Sequence, residues 1–317
     1  MRFIIGIFFL CLLFKFDSSD ASHKEVVVLP LNAWASQRVL TKVVAQKIES
    51  LGYKVKFVEI GSTDQWVALR KGLIHLQVEV WQSEHTGPFR TYVKKGFIVD
   101  VGSHQAIGRE DWWYPEYVEK SCSGLPDWRA LNNCASIFNI DNNAEKGIFY
   151  TGPWNYRDAD LIRALKLNFT IERLKDANMI WQKLKQAQES NQPIVILNWT
   201  PNWIDVRIKG KFVEFPEYEE ACELDPTWGQ NKKMLHDCGN TKSTLLKKAA
   251  WPGLESKLPC IYALLKKISF TNDMISEASA LVSADGFSEE QSVALWLKKY
   301  AKHNQQWLDF QCSEFDQ

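Results

Sequence analysis

The chain has 317 residues, 45 % of them hydrophobic and 24 % charged, and its 38 Lys and Arg balance 38 Asp and Glu to a formal net charge of zero. That balance excludes recognition by bulk charge: no basic excess points to nucleic acid or an anionic membrane, and no acidic excess to a polycation, so any ligand is recognised locally. The length exceeds the usual size of a single core and fits two lobes.

At the amino end, Arg2 precedes an apolar run from Phe3 to Phe14, followed by the polar Asp17, Ser18, Ser19 and Asp20. This is the pattern of a secretory signal peptide, expected to span residues 1–22. The run is too short for a bilayer anchor, and no later stretch approaches the roughly 20 apolar residues a membrane helix needs. A lipid-anchored alternative would use Cys11, but that residue lies inside the apolar run and not after a small-residue cleavage site. The expected location is secreted and extracellular, or periplasmic if bacterial. The signal lacks a clear Ala-x-Ala site, which suits a eukaryotic secretory route.

Beyond the signal, residues 26–29 form a short apolar run. Val39, Leu40, Val43, Val44, Ile48 and Leu51 then recur on one helical face, with Ser36 as the expected N-cap and Gly52 as the stop. A strand is expected over 54–60, a helix over 63–71 closed by Gly72, and a strand over 74–80. A second α/β stretch, about 134–199, carries helical patterns at 158–165 and 177–187 and a strand at 194–197. Strands alternating with helices predict a largely parallel sheet. From Ser243 onward the pattern is mostly helical, with Ser288-Glu289-Glu290-Gln291 opening an amphipathic helix through Val293, Leu297 and Tyr300. This tail is expected to return to the first lobe. The expected boundaries are 23–106 for the first part of lobe 1, 107–240 for lobe 2 and 241–317 for the returning segment.

Six cysteines remain after the signal: Cys122, Cys134, Cys222, Cys238, Cys260 and Cys312. An even number in an exported chain suggests disulfides. Nearness in sequence favours Cys122 with Cys134, Cys222 with Cys238 and Cys260 with Cys312, among the fifteen pairings six cysteines allow. No Cys-x-x-Cys pair occurs, so no metal site is expected. There is also no phosphate-cradling glycine loop, no Gly-x-Ser-x-Gly elbow and no His-Glu-x-x-His helix. Neither a cofactor nor catalysis is expected.

Of the fourteen tryptophans, four sit where strands give way to loops or helices: Trp34, Trp81, Trp154 and Trp199, two in each expected lobe. A trimethylammonium cation donates no hydrogen bond, and proteins hold it against the negative faces of aromatic rings, each worth about 0.5 to 2 kcal/mol. Several rings together suffice for micromolar affinity, near about −8 kcal/mol. Trp66, Trp181 and Trp296 lie inside helical patterns and read as core.

Asn32-Ala33-Trp34, Val78-Glu79-Val80-Trp81, Trp113-Tyr114-Pro115-Glu116-Tyr117-Val118, Tyr150-Thr151-Gly152-Pro153-Trp154, Trp199-Thr200-Pro201-Asn202-Trp203 and Ala250-Trp251-Pro252-Gly253-Leu254, in this order and spacing, carry a resemblance. It is to the substrate-binding proteins of ABC importers for glycine betaine, choline, trimethylamine N-oxide and related osmolytes, and it covers nearly the whole mature chain. The resemblance implies an α/β, two-lobed, periplasmic-binding-protein-like (type II) fold with the ligand cleft between lobes. It places Trp34, Trp81, Trp154 and Trp199 in the cage and adds a polar contact from Glu79. That carboxyl would pair with a cationic headgroup or, if protonated, donate to an N-oxide oxygen. A betaine carboxylate would need donors, which the amides of Ala35, Ser36 and Gln37 at a helix start supply; His85 is a further candidate. The implied partners are a small quaternary amine and an ABC-type permease, with the protein itself a monomer.

Two other readings use the same residues. One is a secreted carbohydrate-binding or interaction module on this fold. The other is a secreted hydrolase with Glu79 and Glu84 as paired carboxylates. Finally, Asn168-Phe169-Thr170 and Asn198-Trp199-Thr200 both fit the N-glycosylation pattern. A glycan on Asn198 would crowd the cleft, so Asn168 is the expected acceptor.

Overall fold

A computed structural model describes residues 26–81, 87–139, 145–154, 157–310 and 312. The expected signal peptide with Cys11, as well as Glu84 and His85, lies outside the described residues. In chain order the first elements are β1 (Val26–Leu31), α1 (Ala35–Ser50), β2 (Lys54–Glu59), α2 (Gln65–Arg70), β3 (Leu76–Val80), α3 (Pro88–Lys94) and β4 (Val99–Pro115). They are followed by α4 (Ala130–Asn133), β5 (Gly147–Thr151), α5 (Asp158–Ala164), β6 (Phe169–Arg173), α6 (Ala177–Glu189), β7 (Val195–Thr200), α7 (Ile204–Arg207), β8 (Gly210–Phe212) and α8 (Ala221–Leu224). Then come β9 (Thr244–Ala250), α9 (Leu254–Lys257), α10 (Pro259–Lys267), α11 (Asn272–Ser283), α12 (Glu289–Lys299) and α13 (Ala301–Gln305).

The periodicity of α1 explains its place. Val39, Leu40, Val43, Val44 and Ile48 are all fully buried, so the helix lays one apolar stripe on the core beside the parallel pair β1 and β2. It ends at Leu51, and Gly52 takes the left-handed φ of 88° that glycine adopts without a Cβ clash.

The fold turns on β4. Its first part, Val99 to Gly108, runs antiparallel to β9, which also pairs with β3; from Arg109 it runs antiparallel to β7 and β8. The changeover falls across one peptide bond, since Gly108 lies opposite Thr244 and Arg109 opposite Thr200. A Cβ on Gly108 would sit 2.7 Å from the Trp81 ring and 3.0 Å from the Thr200 carbonyl oxygen, so the crossing requires glycine.

Two main cores flank this crossing. One gathers Leu29, Leu40, Val43, Ile48, Phe270, Trp296 and Trp307 under α1, α10, α11 and α12. The other surrounds Trp112, which stacks on Phe149 with ring centroids 3.9 Å apart and meets Phe169 and Phe215 edge-on. In this second lobe β5 pairs in parallel with both β6 and β7, leaving β6 at the edge. The disulfides are Cys122–Cys134, Cys222–Cys238 and Cys260–Cys312; the last ties α10 to the end of the described chain.

Three expectations are corrected, and a fourth holds only in part. The sheets are mixed and not largely parallel, because β4 and β9 lie antiparallel to their neighbours. The segment from Ser243 onward is mostly helical as expected, from α9 to α13, but it opens with a strand: Leu, Lys and Ala favour helices, but β9 is bonded on both sides, and pairing overrides propensity. Its Lys248 is 2 % exposed, and Nζ donates to the Ile268 carbonyl at 2.6 Å just past the end of α10, a cation satisfying a helix C-terminus. Burial lowers that ammonium to about 8. Trp199 lies inside β7 and not after it. Ser36 is not the N-cap of α1, since Trp34 occupies that position with extended backbone; Ser36 falls in the first turn, where its hydroxyl finds a different partner.

The amphipathic helix α12 carries both halves of a capping box, Ser288 accepting from Gln291 N and Gln291 Oε1 accepting from Ser288 N. Ser288→Ala is expected to lower stability by about 1 kcal/mol, read as a reduced urea midpoint with an unchanged slope.

Candidate functional site

The site forms where the carboxyl ends of β1, β3, β5 and β7 meet across the two lobes, as expected for open α/β sheets. From lobe 1, Trp34 follows β1 and Trp81 follows β3. Their indole N–H groups donate to one atom, Oε1 of Glu79, at 2.7 and 2.8 Å, and the Ser36 hydroxyl donates to the same atom at 2.9 Å. Three donors on one carboxylate oxygen fix the planes of both rings.

Glu79 is 1 % exposed, and its second oxygen, Oε2, is buried without a hydrogen-bond partner among the described residues. Burial raises the carboxyl pKa, opposed by the bonds from Trp34, Trp81 and Ser36. If a proton is present it resides on Oε2, because Oε1 already accepts three. The residue therefore offers one unsatisfied polar atom beside two tryptophans.

Beneath Glu79 lies a buried amide network. Gln77 Oε1 accepts from Glu79 N and from Gln37 Nε2, while Gln77 Nε2 donates to Asn32 Oδ1 and Gln65 Oε1. Gln37 also serves Asn32 N, the Pro30 carbonyl and Thr41. The Gln37 side chain is thus committed to holding β1, α1 and β3 together, while its main-chain amide is one of the first-turn groups without an intrahelical acceptor.

From lobe 2, Trp154 and Trp199 complete the aromatic cluster. Trp154 meets Trp34 edge-on at 6.4 Å and Trp199 edge-on at 5.3 Å. Its ring folds back over Gly152, where a Cβ would come within 2.1 Å of Cζ3; the absence of a side chain there permits the turn. The Trp154 carbonyl accepts from Arg173 Nη1 at 2.8 Å, which anchors the turn to β6.

The structure adds residues that sequence reasoning placed elsewhere. Trp181 on α6, read as core, is buried but also tilts against Trp199 at 5.2 Å and meets Trp203 edge-on at 5.8 Å, forming a second rank of rings behind the first. Trp66 and Trp296 are core residues. The lobes touch through Ala177 N, which donates to the Ala33 carbonyl at 3.5 Å, and through Ser279 Oγ of α11, which donates to Asn202 Oδ1 at 2.8 Å. No local pattern marks Ser279, because its role exists only once α11 lies over the β7–α7 turn.

Lobe 2 holds a second polar feature. Asp111 and Asp158 line a small cleft with Arg157, His236, Gly239 and Asn240. Burial raises Asp111 to about 7 and Asp158 to about 6. Trp112 Nε1 donates to Asp158 Oδ1 at 2.8 Å, and Trp112 N donates to Asp111 Oδ1 at 2.9 Å. Among the described residues, no group of three or more His, Cys, Asp or Glu side chains is placed to hold a metal ion, and no helix is long and apolar enough to cross a membrane.

The family model for the substrate-binding domain of the ABC-type glycine betaine transport system matches residues 25–299. The trimethylamine N-oxide-binding protein of Pelagibacter ubique (strain HTCC1062) is 34 % identical over 303 residues, covering 92 % of this chain and 93 % of its own. Among solved structures, an ABC-transporter choline-binding protein in complex with choline superposes with a TM-score of 0.70 at 18 % identity, covering 89 % of this chain and 91 % of the other. Lactococcal OpuAC, in its closed-liganded conformation with glycine betaine, gives 0.66 at 17 % identity, covering 90 % of this chain and 100 % of the other. At these identities the structural likeness establishes the two-lobed fold.

Proposed function

The chain belongs to the substrate-binding proteins of ABC-type glycine betaine transport systems, and from that premise we propose that it captures a methylated ammonium bearing a compact anionic oxygen, with trimethylamine N-oxide as the first candidate. The observation that carries this reading is Glu79. Its Oε1 is saturated by Trp34, Trp81 and Ser36, while Oε2 has no hydrogen-bond partner among the described residues. A protonated Oε2 donates to an oxide or carboxylate oxygen, and the tryptophan faces take the methyl groups.

In this reading Trp34, Trp81, Trp154 and Trp199 form the cage, Ser36 positions Glu79, and the amides at the start of α1 serve a longer, carboxylate-bearing ligand. The lobes are residues 23–106 with 241–317, and 107–240. They close on the ligand as rigid bodies about the Gly108–Arg109 crossing, with the Asn202–Ser279 bond as one contact of the closed form. The protein is exported, acts as a monomer, returns its ligand unchanged and delivers it to an ABC-type permease where one is present.

A calorimetric panel of trimethylamine N-oxide, glycine betaine, choline and carnitine tests this. Trimethylamine N-oxide is expected to bind with micromolar affinity and to quench Trp fluorescence, with choline, which lacks an anionic oxygen, at least about tenfold weaker, or about 1.4 kcal/mol. Failure of all four at millimolar concentration would sink the reading. A higher affinity for choline would reassign Glu79 as an ionised partner of the cation.

A further inference from the structure

We propose that Asn168 is an N-glycosylation site and that the glycan stands at the pole of lobe 2 opposite the ligand cleft. The inference goes beyond ligand capture and rests on export of the chain by the eukaryotic secretory route that its signal suits. Three disulfides point to folding in an oxidising compartment, and the sequence offers two Asn-x-Thr sites, Asn168 and Asn198. Tertiary structure separates them.

Asn198 is fully buried inside β7, opposite Asp111 on β4, and its Oδ1 accepts from Asn202 Nδ2 at 3.3 Å. Its amide nitrogen lies buried next in sequence to the cage residue Trp199. A sugar there has no path to solvent, so molecules glycosylated at Asn198 do not reach this fold.

Asn168 is half-buried just before β6, and Thr170 is exposed. Asn168 N donates to Asn132 Oδ1 at 2.7 Å, and Nδ2 donates to the Glu145 carbonyl at 2.9 Å. A glycosylated amide keeps one N–H, enough to retain the bond to Glu145. Because β5, β6 and β7 are parallel, their carboxyl ends carry the tryptophans while Asn168 sits at the amino end. The length of β6 from Phe169 to Arg173 puts about 13 Å between the two poles. Among the described residues β6 pairs with β5 alone, and an edge strand with open N–H and C=O groups invites pairing with another chain. A glycan at its start obstructs that approach.

The transfer needs a polyprenol-diphosphate-linked oligosaccharide. The Asn168 amide nitrogen bonds to the anomeric carbon, the bond from that carbon to the diphosphate oxygen breaks, the polyprenol diphosphate leaves, and the amide gives up one proton.

The test uses the full chain secreted from cultured insect cells, treated with peptide-N-glycosidase F and mapped by mass spectrometry. The expected result is a single-glycan mobility shift, conversion of Asn168 to Asp on enzyme treatment, and loss of the shift in both Asn168→Gln and Thr170→Ala, the second leaving Asn168 and its bonds in place. Ligand affinity should change less than about twofold in Thr170→Ala, whatever the ligand proves to be. Secreted protein with Asn168 unmodified overturns the proposal, and so does a folded, secreted form carrying its glycan on Asn198.

Discussion

Replacing Glu79 with Ala is expected to weaken ligand binding by about 100-fold or more, while Glu79→Gln retains most of it. The Ala variant strips the acceptor from Trp34 Nε1, Trp81 Nε1 and Ser36 Oγ, and a buried donor left unpaired costs about 1 to 3 kcal/mol. Part of that cost falls on ring orientation, so the cage loosens as well. Gln keeps an oxygen for the three donors and presents an N–H where the protonated acid would present its O–H.

The pH dependence follows from the direction of the Glu79 shift. Burial raises its pKa, and the protonated form is the one that serves an anionic ligand oxygen, so wild-type affinity falls as pH rises through that raised value. Glu79→Gln has nothing to titrate there and its affinity stays flat. Calorimetry of both proteins over a pH series reads the two together. If Gln loses as much affinity as Ala, Glu79 acts as an ionised carboxylate and the donor role is wrong.

Asp111→Asn is expected to stabilise the protein at alkaline pH relative to wild type and to do little near pH 4. Burial is the first cause of the rise of Asp111 from 3.8 to about 7, with Asp158 adding repulsion and Arg109 pulling the other way. A carboxyl with a raised folded pKa contributes stability that is fully present below its unfolded value and is lost as pH rises through the folded one. A rise from 3.8 to about 7 corresponds to an upper bound on the order of 4 kcal/mol. Carboxylates held below their ordinary range, such as Glu59 beside Arg38, slope in the opposite sense, but they cancel in the difference between variant and parent. Urea unfolding of both proteins at about pH 4.5 and about pH 8 measures it. An equal difference at the two pH values would show that Asp111 does not titrate in that window.

The elements read correctly from sequence are those defined over four or five neighbours. The stripe of α1 from Val39 to Ile48 and the Ser288–Gln291 box depend on contacts within one helical turn. Strands that obey no local rule were read less well. β4 is 17 residues long yet shows no uniform alternation, because its two parts face different lobes. β9 has a helix-forming composition and becomes a strand only between β3 and β4.

The candidate site divides in the same way. The tryptophans announce themselves in the sequence by type and by their places near strand ends, and aromatic rings there require little else to suggest a methylated cation. What tertiary structure alone decided is that Trp34, Ser36 and Trp81 converge on a single oxygen of Glu79 and leave the other without a partner among the described residues. Residue type and spacing set what a side chain can do within a turn or a strand. Which of its atoms are already satisfied depends on register between segments more than forty residues apart in the chain, and only the packing of β1, α1 and β3 within the first lobe establishes that register.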